Sequence, residues 1–182
     1  VKGYVDIMYG CNKFCTYCIV PYTRGKERSR RMFDIIREVK QLIQNGGKEV
    51  ILLGQNVNAY GKDLGMDDGF TDLLIAVAET GIERIRFYSS SPRDYSESTI
   101  QAMLDHPNIM PALHLPVQSG SNEVLRRMAR GYTVEQYKEV FDRLKSKIPN
   151  ITFTTDLIVG FPQETDEEFR DTIALVDYCK FD

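Results

Sequence analysis

Hydrophobic positions fall into short apolar runs that alternate with longer stretches of helical periodicity. The runs, several of them rich in β-branched residues, predict strands over residues 4–9, 50–53, 84–88, 113–117 and 151–159. The intervening stretches space apolar side chains three or four residues apart, which predicts helices over residues 32–44, 70–79, 96–104, 122–130, 134–145 and 165–178. Five strand–helix units in succession predict an α/β fold with a parallel sheet and right-handed crossovers.

Several helix boundaries carry their own signals. Ser96 is a plausible N-cap, and Thr165 with Glu168 three residues on has the pattern of a capping box. Gly131 separates two helical segments. Along the 32–44 segment, the residues at helical spacing are Phe33, Ile36, Val39, Lys40 and Ile43.

The predicted sheet either curls into part of a barrel or lies open with helices on both faces. In both arrangements ligands bind at the carboxyl ends of the strands. The polar motifs of this chain follow its strands directly, so we expect them to meet at that edge.

Composition narrows the class of protein. With 182 residues, 42% hydrophobic and 27% charged, the chain has the composition of an ordinary globular domain. It carries no membrane-length apolar run and no secretory signal, so we expect a cytoplasmic protein that needs no membrane. It does not begin with Met, and we interpret residues 1–182 as one domain cut from a longer chain. The formal net charge is −3, whereas domains that bind nucleic acid are usually basic. Any nucleic-acid binding is therefore confined to a local basic surface or lies outside this segment.

The strongest chemical signal is a cysteine triplet directly after the first predicted strand. Cys11, Cys15 and Cys18 have the spacing C-x3-C-x2-C and follow Gly10, which relieves crowding where the backbone turns. Clustered thiols in a reducing compartment hold metal or perform redox chemistry more often than they form disulfides. One loop can hold three corners of a [4Fe–4S] cubane, which leaves the fourth iron open for another ligand.

Three other readings compete with an open iron–sulfur site. Structural zinc prefers four protein ligands, and no second cysteine pair exists here, while His106 and His114 are distant in sequence. An electron-transfer cluster needs a fourth ligand, for which Cys179 is the candidate. Incidental buried cysteines rarely gather on one loop.

The cysteine loop resembles the signature of the radical S-adenosylmethionine (SAM) superfamily, with Tyr17 as the aromatic residue before the third cysteine. The resemblance implies a partial parallel (β/α) barrel, of which about five units are present. It also implies that SAM binds the open iron and is cleaved to a 5′-deoxyadenosyl radical, after reduction by an external electron donor.

The same resemblance assigns roles to the groups that follow the later strands. After the second strand it implies cofactor contacts from Gly54, Gln55 and Asn56; after the fourth, from Gln118 and Ser119 with Arg127 or Arg130 on the SAM carboxylate; after the fifth, from Ile158 on adenine. The alternatives are a polar loop, solvated arginines and a core isoleucine. The residues 89–94 are interpreted as a pocket floor or a simple loop, and His114 as a core or pocket histidine rather than a catalytic base.

A basic stretch follows the cysteine loop. Residues 21–31 carry five positive charges and one negative, and the cations predicted to contact RNA are Arg24, Lys26, Arg28 and Arg30. Positive charge at the mouth of a site steers a phosphate backbone. The alternative is a solvated connector.

Four blocks, at residues 20–25, 53–61, 113–130 and 155–165, make the whole chain resemble the radical SAM methylthiotransferases that modify tRNA, in particular those acting on isopentenyladenosine next to the anticodon. That resemblance implies an N-terminal domain with a second [4Fe–4S] cluster and a C-terminal β-domain that binds RNA. We therefore expect the 182 residues alone not to complete the reaction. Sister enzymes act on threonylcarbamoyladenosine in tRNA or on a ribosomal protein, and a zinc-binding module is the alternative of another class.

Overall fold

The structure, a computed structural model, describes residues 1–88 and 91–182. Within them the strands are β1 Lys2–Asp6, β2 Met8–Tyr9, β3 Arg28–Ser29, β4 Glu49–Leu53, β5 Arg84–Phe87, β6 Ala112–His114 and β7 Thr152–Thr154. The helices are α1 Val20–Thr23, α2 Met32–Gln44, α3 Gly69–Ala78, α4 Glu97–Asp105, α5 Asn122–Arg127, α6 Val134–Lys147 and α7 Asp166–Cys179. Short 3-10 turns cover Val57–Ala59, Lys62–Leu64 and Pro92–Asp94.

Five of the strands run parallel and follow one another in chain order. β4 lies between β1 and β5 in a three-stranded sheet, and its middle residues Val50–Leu52 are all buried. A continuous apolar run of this kind is expected where helices cover a parallel strand. β6 and β7 form a second parallel pair, with Leu113 opposite Phe153.

A narrow joint connects the two sheets. Ile85 in β5 forms a parallel bridge with Ile109, its amide donates to Asn108 O at 2.8 Å, and Met110 N donates to Ile85 O at 3.0 Å. With the helices between successive strands, the five units form a curved strand array, which confirms the predicted α/β fold and its partial barrel.

Local boundary signals agree with the helix ends. Ser96 accepts a hydrogen bond from Thr99 N, and Thr165 and Glu168 form a reciprocal capping box at the start of α7. The predicted helix over residues 32–44 matches α2 in both bounds. None of the helices in the described ranges is long and apolar enough to cross a membrane.

Not every apolar residue at helical spacing along α2 is buried. Phe33 is 72% exposed, whereas Ile35 and Val39 are fully buried. A shift of about 100° per residue around a helix is enough to turn an apolar side chain outward, and several spacings of apolar residues coexist in this segment. The buried face of α2 packs against β1 and α3.

The fourth and fifth parallel strands are shorter than predicted. β6 ends at His114, before Pro116, and β7 ends at Thr154. Beyond them the two segments continue side by side through a bridge between Gln118 and Leu157. The apolar residues after each strand line up in extended segments without a regular ladder.

Candidate active site

The cysteine loop is closed at its base by a short antiparallel ribbon that sequence analysis did not predict. β2 pairs with β3, so residues 10–27 form a loop between paired ends. Cys11 N donates to Gly25 O at 3.1 Å. Gly10 has φ +77°, and a Cβ atom there would lie 2.2 Å from Lys26 O. Only glycine fits this crossing, so the loop's entry is fixed sterically.

All three predicted cysteines line one cavity of about 220 Å³ at the carboxyl ends of the strands. They are free thiols, with Cys15 buried and the other two half-buried. The other residues of the lining are Lys13, Tyr17, Gln55, Asn56, Ser91, His114, Pro116, Gln118, Arg130 and Asp156.

The thiols receive hydrogen-bond donors. Arg130 Nη1 lies 3.4 Å from Cys15 Sγ, and Lys13 N lies 3.4 Å from Cys11 Sγ. Burial raises the pKa of the Cys11 thiol, while the Lys13 amide opposes that shift. N–H donors aimed at sulfur are the arrangement that stabilises thiolate ligands of a metal cluster.

The donor set fits an iron–sulfur cluster better than a single ion. Within residues 1–88 and 91–182, no group of three or more His, Cys, Asp or Glu side chains is arranged to hold one metal ion. A cubane binds its thiolates at separate iron atoms, so three thiols from one loop that line the same cavity suit it. Cys179 is buried at the end of α7 and does not line this cavity.

The residues after β4 support the loop as well as lining the cavity. Gln55 Oε1 accepts from Gly10 N at 2.7 Å, and Asn56 Nδ2 donates to Glu27 Oε1 at 3.1 Å. Gly54 is not part of the lining, and a Cβ atom there would lie 2.7 Å from Met8 Cγ. The absence of a side chain at this position allows close packing against β2.

The groups after β6 divide into lining and support. Gln118 lines the cavity at φ +74°, and its backbone pairs with Asp156 O and Ile158 N, each at 2.9 Å. Ser119 is fully buried behind the wall, where its hydroxyl accepts from Ser121 N at 3.1 Å. Ile158 is half-buried and touches the site through Gln118 rather than through the cavity.

The two predicted arginines point in different directions. Arg130 lies in the cavity wall and donates to Tyr17 Oη at 3.2 Å and Tyr132 Oη at 3.1 Å. Arg127 lies outside the lining and binds Glu168 through two hydrogen bonds of 2.9 and 2.8 Å. Helix α5 ends at Arg127, not at residue 130, and Ala129 has φ +55°, which redirects the chain between them.

Sequence analysis missed Lys13, which lies between the first two cysteines and in the cavity wall. Its Nζ donates to Asp94 Oδ2 at 2.9 Å, and Lys62 Nζ donates to Asp94 Oδ1 at 3.0 Å. Burial raises the pKa of the Asp94 carboxyl, but hydrogen bonds from the two lysines outweigh it and hold that pKa below its ordinary value. The position of this lysine between Cys11 and Cys15 was the sequence signal that could have identified it.

The remaining candidates are placed as follows. His114 fills its two nitrogens with Thr154 Oγ1 at 3.0 Å and Asp156 Oδ2 at 3.2 Å, in agreement with a pocket histidine. Of the predicted pocket floor, Ser91 lines the cavity, whereas Ser89 and Ser90 lie outside the described residues.

The four predicted RNA-binding cations of the basic stretch differ in whether they form ion pairs within the protein. Arg24, Lys26 and Arg28 are exposed and form no ion pair with any part of the chain that the structure describes. Arg30 is held by Glu38 at 2.7 Å and by Asp6 O at 2.6 Å. Three of the four predicted RNA contacts are therefore available to an outside anion.

A family model and the most similar known proteins agree on the family of this chain. The family model of the radical SAM superfamily matches residues 5–176. The chain is 57% identical over its whole length to a tRNA-2-methylthio-N(6)-dimethylallyladenosine synthase of Halalkalibacterium halodurans and 55% identical to that of Bacillus subtilis. It spans 34% and 36% of those two proteins, about a third of their length.

Solved structures agree at the level of the fold. The radical S-adenosylmethionine methyltransferase TsrM from Kitasatospora setae, with cobalamin and a [4Fe–4S] cluster bound, matches with a TM-score of 0.78 at 16% identity, covering 98% of this chain and 35% of TsrM. The family model extends from β1 through most of α7 and includes all three cavity cysteines. The chain belongs to the radical SAM superfamily.

Proposed function

We propose that this chain is the radical SAM core of a tRNA methylthiotransferase that modifies isopentenyladenosine next to the anticodon. The observation that carries the proposal is the set of three free thiols on one loop, facing a cavity whose other walls supply amide and guanidinium groups. The names of relatives that are 55–57% identical supply the substrate class.

Cys11, Cys15 and Cys18 are the residues that would hold a [4Fe–4S] cluster, and three thiolate ligands would leave one iron open to SAM. The bound cofactors supply the radical chemistry needed at an unactivated adenine carbon. The protein positions them: Gln55 fixes Gly10 at the loop entry, and Arg130 donates to Cys15 Sγ.

The cavity walls form the SAM site. Among the predicted cofactor contacts, the polar groups that line it are Tyr17, Gln55, Asn56, Gln118 and Arg130. Arg130 is the proposed partner for the SAM carboxylate. Arg127, Gly54, Ser119 and Ile158 lie outside the lining, and their geometry supports structural rather than contacting roles.

The complete reaction requires more than these residues. The chain spans about a third of its relatives' length. The resemblance to the methylthiotransferases implies a second cluster domain and an RNA-binding β-domain, which would lie in the remainder. Arg24, Lys26 and Arg28 beside the cluster loop add phosphate contacts for the tRNA. The protein acts in the cytoplasm and takes its electron from an external donor.

Metal and sulfide analysis tests the cluster. Full-length protein prepared and reconstituted without oxygen is expected to hold, in this domain, about four irons with acid-labile sulfide. The Cys11→Ala, Cys15→Ala, Cys18→Ala triple variant should lose them. Cys179→Ala is the matched control, because Cys179 does not line the cavity, and should keep them. A single zinc, or iron unchanged in the triple variant, contradicts the proposal.

Nucleoside mass spectrometry tests the substrate. In tRNA from a strain without the gene, the methylthio group on isopentenyladenosine should disappear, and the wild-type gene should restore it. Loss of the group from threonylcarbamoyladenosine instead would assign the chain to a sister enzyme.

A further inference from the structure

A second cavity of about 340 Å³ adjoins the active site and has no part in the chemistry described so far. Its walls come from the Pro92–Asp94 turn that follows β5 and from the first turns of α6. Two arginines, Arg93 and Arg143, line it together with Gln136 and Tyr132. It therefore lies at the carboxyl ends of the strands, where the active site also lies.

The two cavities share structural walls. Tyr132 lines the second cavity, and its hydroxyl both accepts from Arg130 Nε at 3.1 Å and donates to Val117 O at 2.9 Å. Arg130 lines the active site. On the other side Ser91 lines the active site, while the next two residues line the second cavity. The two cavities are therefore neighbours, through the Arg130–Tyr132 hydrogen bond and the step from Ser91 to Pro92.

The positive charge of the second cavity is not neutralised by ion pairs. Arg143 Nη2 donates to Tyr95 O at 2.9 Å, but neither Arg143 nor Arg93 forms an ion pair in the described ranges. Arg126 and Arg127, on α5 nearby, are both paired with glutamates. Glu139 also lines the cavity, so the lining carries two guanidiniums and one carboxylate, and Glu97 outside the lining interacts electrostatically with Arg143.

Gly131 makes room for Arg93. Its φ is +69°, and a Cβ atom there would lie 2.7 Å from Arg93 Nη1. The guanidinium therefore lies close against the backbone that separates α5 from α6. A side chain at position 131 would displace it, so this glycine serves both the turn and the position of the arginine.

We propose that the second cavity binds one phosphate group of the RNA substrate, adjacent to the nucleotide in the active site. The inference rests on the proposed function and deepens it. A guanidinium presents N–H groups in a planar fork that matches phosphate oxygens, and two of them flanking one cavity suit a phosphodiester. Together with Arg24, Lys26 and Arg28, this places phosphate contacts at two positions on the chain, one on the cluster loop and one beyond β5.

Salt-dependent RNA binding tests the proposal. The probe is an anticodon stem–loop carrying isopentenyladenosine, titrated with full-length protein by fluorescence anisotropy between low and moderate salt. The Arg93→Gln, Arg143→Gln double variant should bind roughly tenfold more weakly, with the slope of log K against log salt shallower by about 0.7–0.9. Arg93→Gln alone leaves the Arg143–Tyr95 contact intact, and it should also weaken RNA binding and make the salt slope shallower.

Two controls distinguish charge from folding. Lys40→Gln removes an exposed lysine on the outer part of α2 and should leave affinity and slope unchanged. Arg93→Lys keeps the charge and should preserve the slope while losing part of the affinity. Circular dichroism confirms that each variant is folded.

The outcomes separate the two proposals. If the double variant binds like wild type while Arg24→Gln, Lys26→Gln, Arg28→Gln weakens binding, the second cavity is not a phosphate site and the proposed function stands. If wild-type protein does not bind the stem–loop at all, the proposed RNA substrate itself is wrong.

Discussion

The two flanks of the cysteine loop are held in different ways. The Cys11 flank, residues 8–13, is fixed through its own backbone atoms: β2 pairs with β3, Cys11 N donates to Gly25 O, and Gly10 N donates to the side-chain Oε1 of Gln55. The Cys15 flank, residues 14–18, is fixed from a distant part of the sequence. Thr16 N donates to Met128 O, and the hydroxyl of Thr16 donates to Arg127 O at 2.9 Å.

This difference shows how three ligands on one short loop depend on both halves of the fold. The first flank is held by the β2–β3 ribbon and by Gln55 directly after β4, so it depends on the half of the fold that contains β1–β5. The second flank is correct only when the segment after β6 has packed against the loop. All three cysteines are therefore held in place together only when the two halves of the fold have packed against each other.

The largest effect is expected from Gly10→Ala. The new Cβ would meet Lys26 O at 2.2 Å and Gly25 O at 2.5 Å, at a φ that alanine disfavours. We expect the free energy of unfolding to fall by about 3 kcal/mol. Urea denaturation measures the stability, and iron content after anaerobic reconstitution should fall as well.

Gly25→Ala is the matched control for that substitution. Gly25 lies in the same loop at φ +73°, but its Cβ would meet nothing within 4 Å. Only the backbone strain remains, which costs about 1 kcal/mol. Equal losses for the two variants would show that the close approach at Gly10 is unimportant.

Gln55→Met should have the next largest effect. It removes the acceptor of Gly10 N, a bond of 2.7 Å, and leaves a buried amide without a partner. We expect a loss of about 2 kcal/mol in the free energy of unfolding. Gln55→Glu keeps an acceptor and should be closer to wild type; if both variants behave alike, the hydrogen bond does not hold the Cys11 flank.

The smallest effect is expected from Glu168→Gln, which loosens the support behind the Cys15 flank. The hydrogen bonds from Arg127 lower the pKa of Glu168 to about 2. Its stabilising effect is therefore complete above the unfolded-state pKa of about 4.3 and is lost progressively as the pH falls towards 2. Glutamine retains the capping-box acceptor, so the fold should survive.

Urea midpoints between pH 6 and pH 3 check this expectation. The wild-type midpoint should fall on acidification, and the Glu168→Gln variant should fall less steeply from a lower starting value. Glu167→Gln is the control, because Glu167 is exposed and has no ion pair with the described residues. A Glu168→Gln profile parallel to wild type would contradict the assigned role of the pair.

Local patterns in the sequence predicted much of the fold. Helix α2, the Ser96 cap and the Thr165–Glu168 capping box follow from short-range chemistry, and each was confirmed. The β2–β3 ribbon was missed because two-residue strands are defined by their pairing partner, not by their own composition. Phe33 shares the helical spacing of α2 and is nevertheless exposed, because the period alone does not say which neighbour a helix packs against.

For the site, the sequence predicted which segments meet but not which side chains face the cavity. The cysteines, Tyr17, Gln55, Asn56, Gln118 and Arg130 do line it. Arg127 and Arg130 looked equivalent until Ala129, at φ +55°, turned the chain between them. Backbone reversals of this kind in a non-glycine residue leave no clear mark in sequence.

The narrow joint at Ile85 has a mechanical consequence. Two backbone hydrogen bonds, to Asn108 and from Met110, connect the regular strands of one half to those of the other. Slow local opening of a protein occurs where backbone hydrogen bonds are fewest. We therefore expect the two halves to rotate about the joint at Ile85, which would act as a hinge, while each half stays intact. Since each half holds one flank of the cysteine loop, we expect the angle at the hinge to change the width of the cavity mouth.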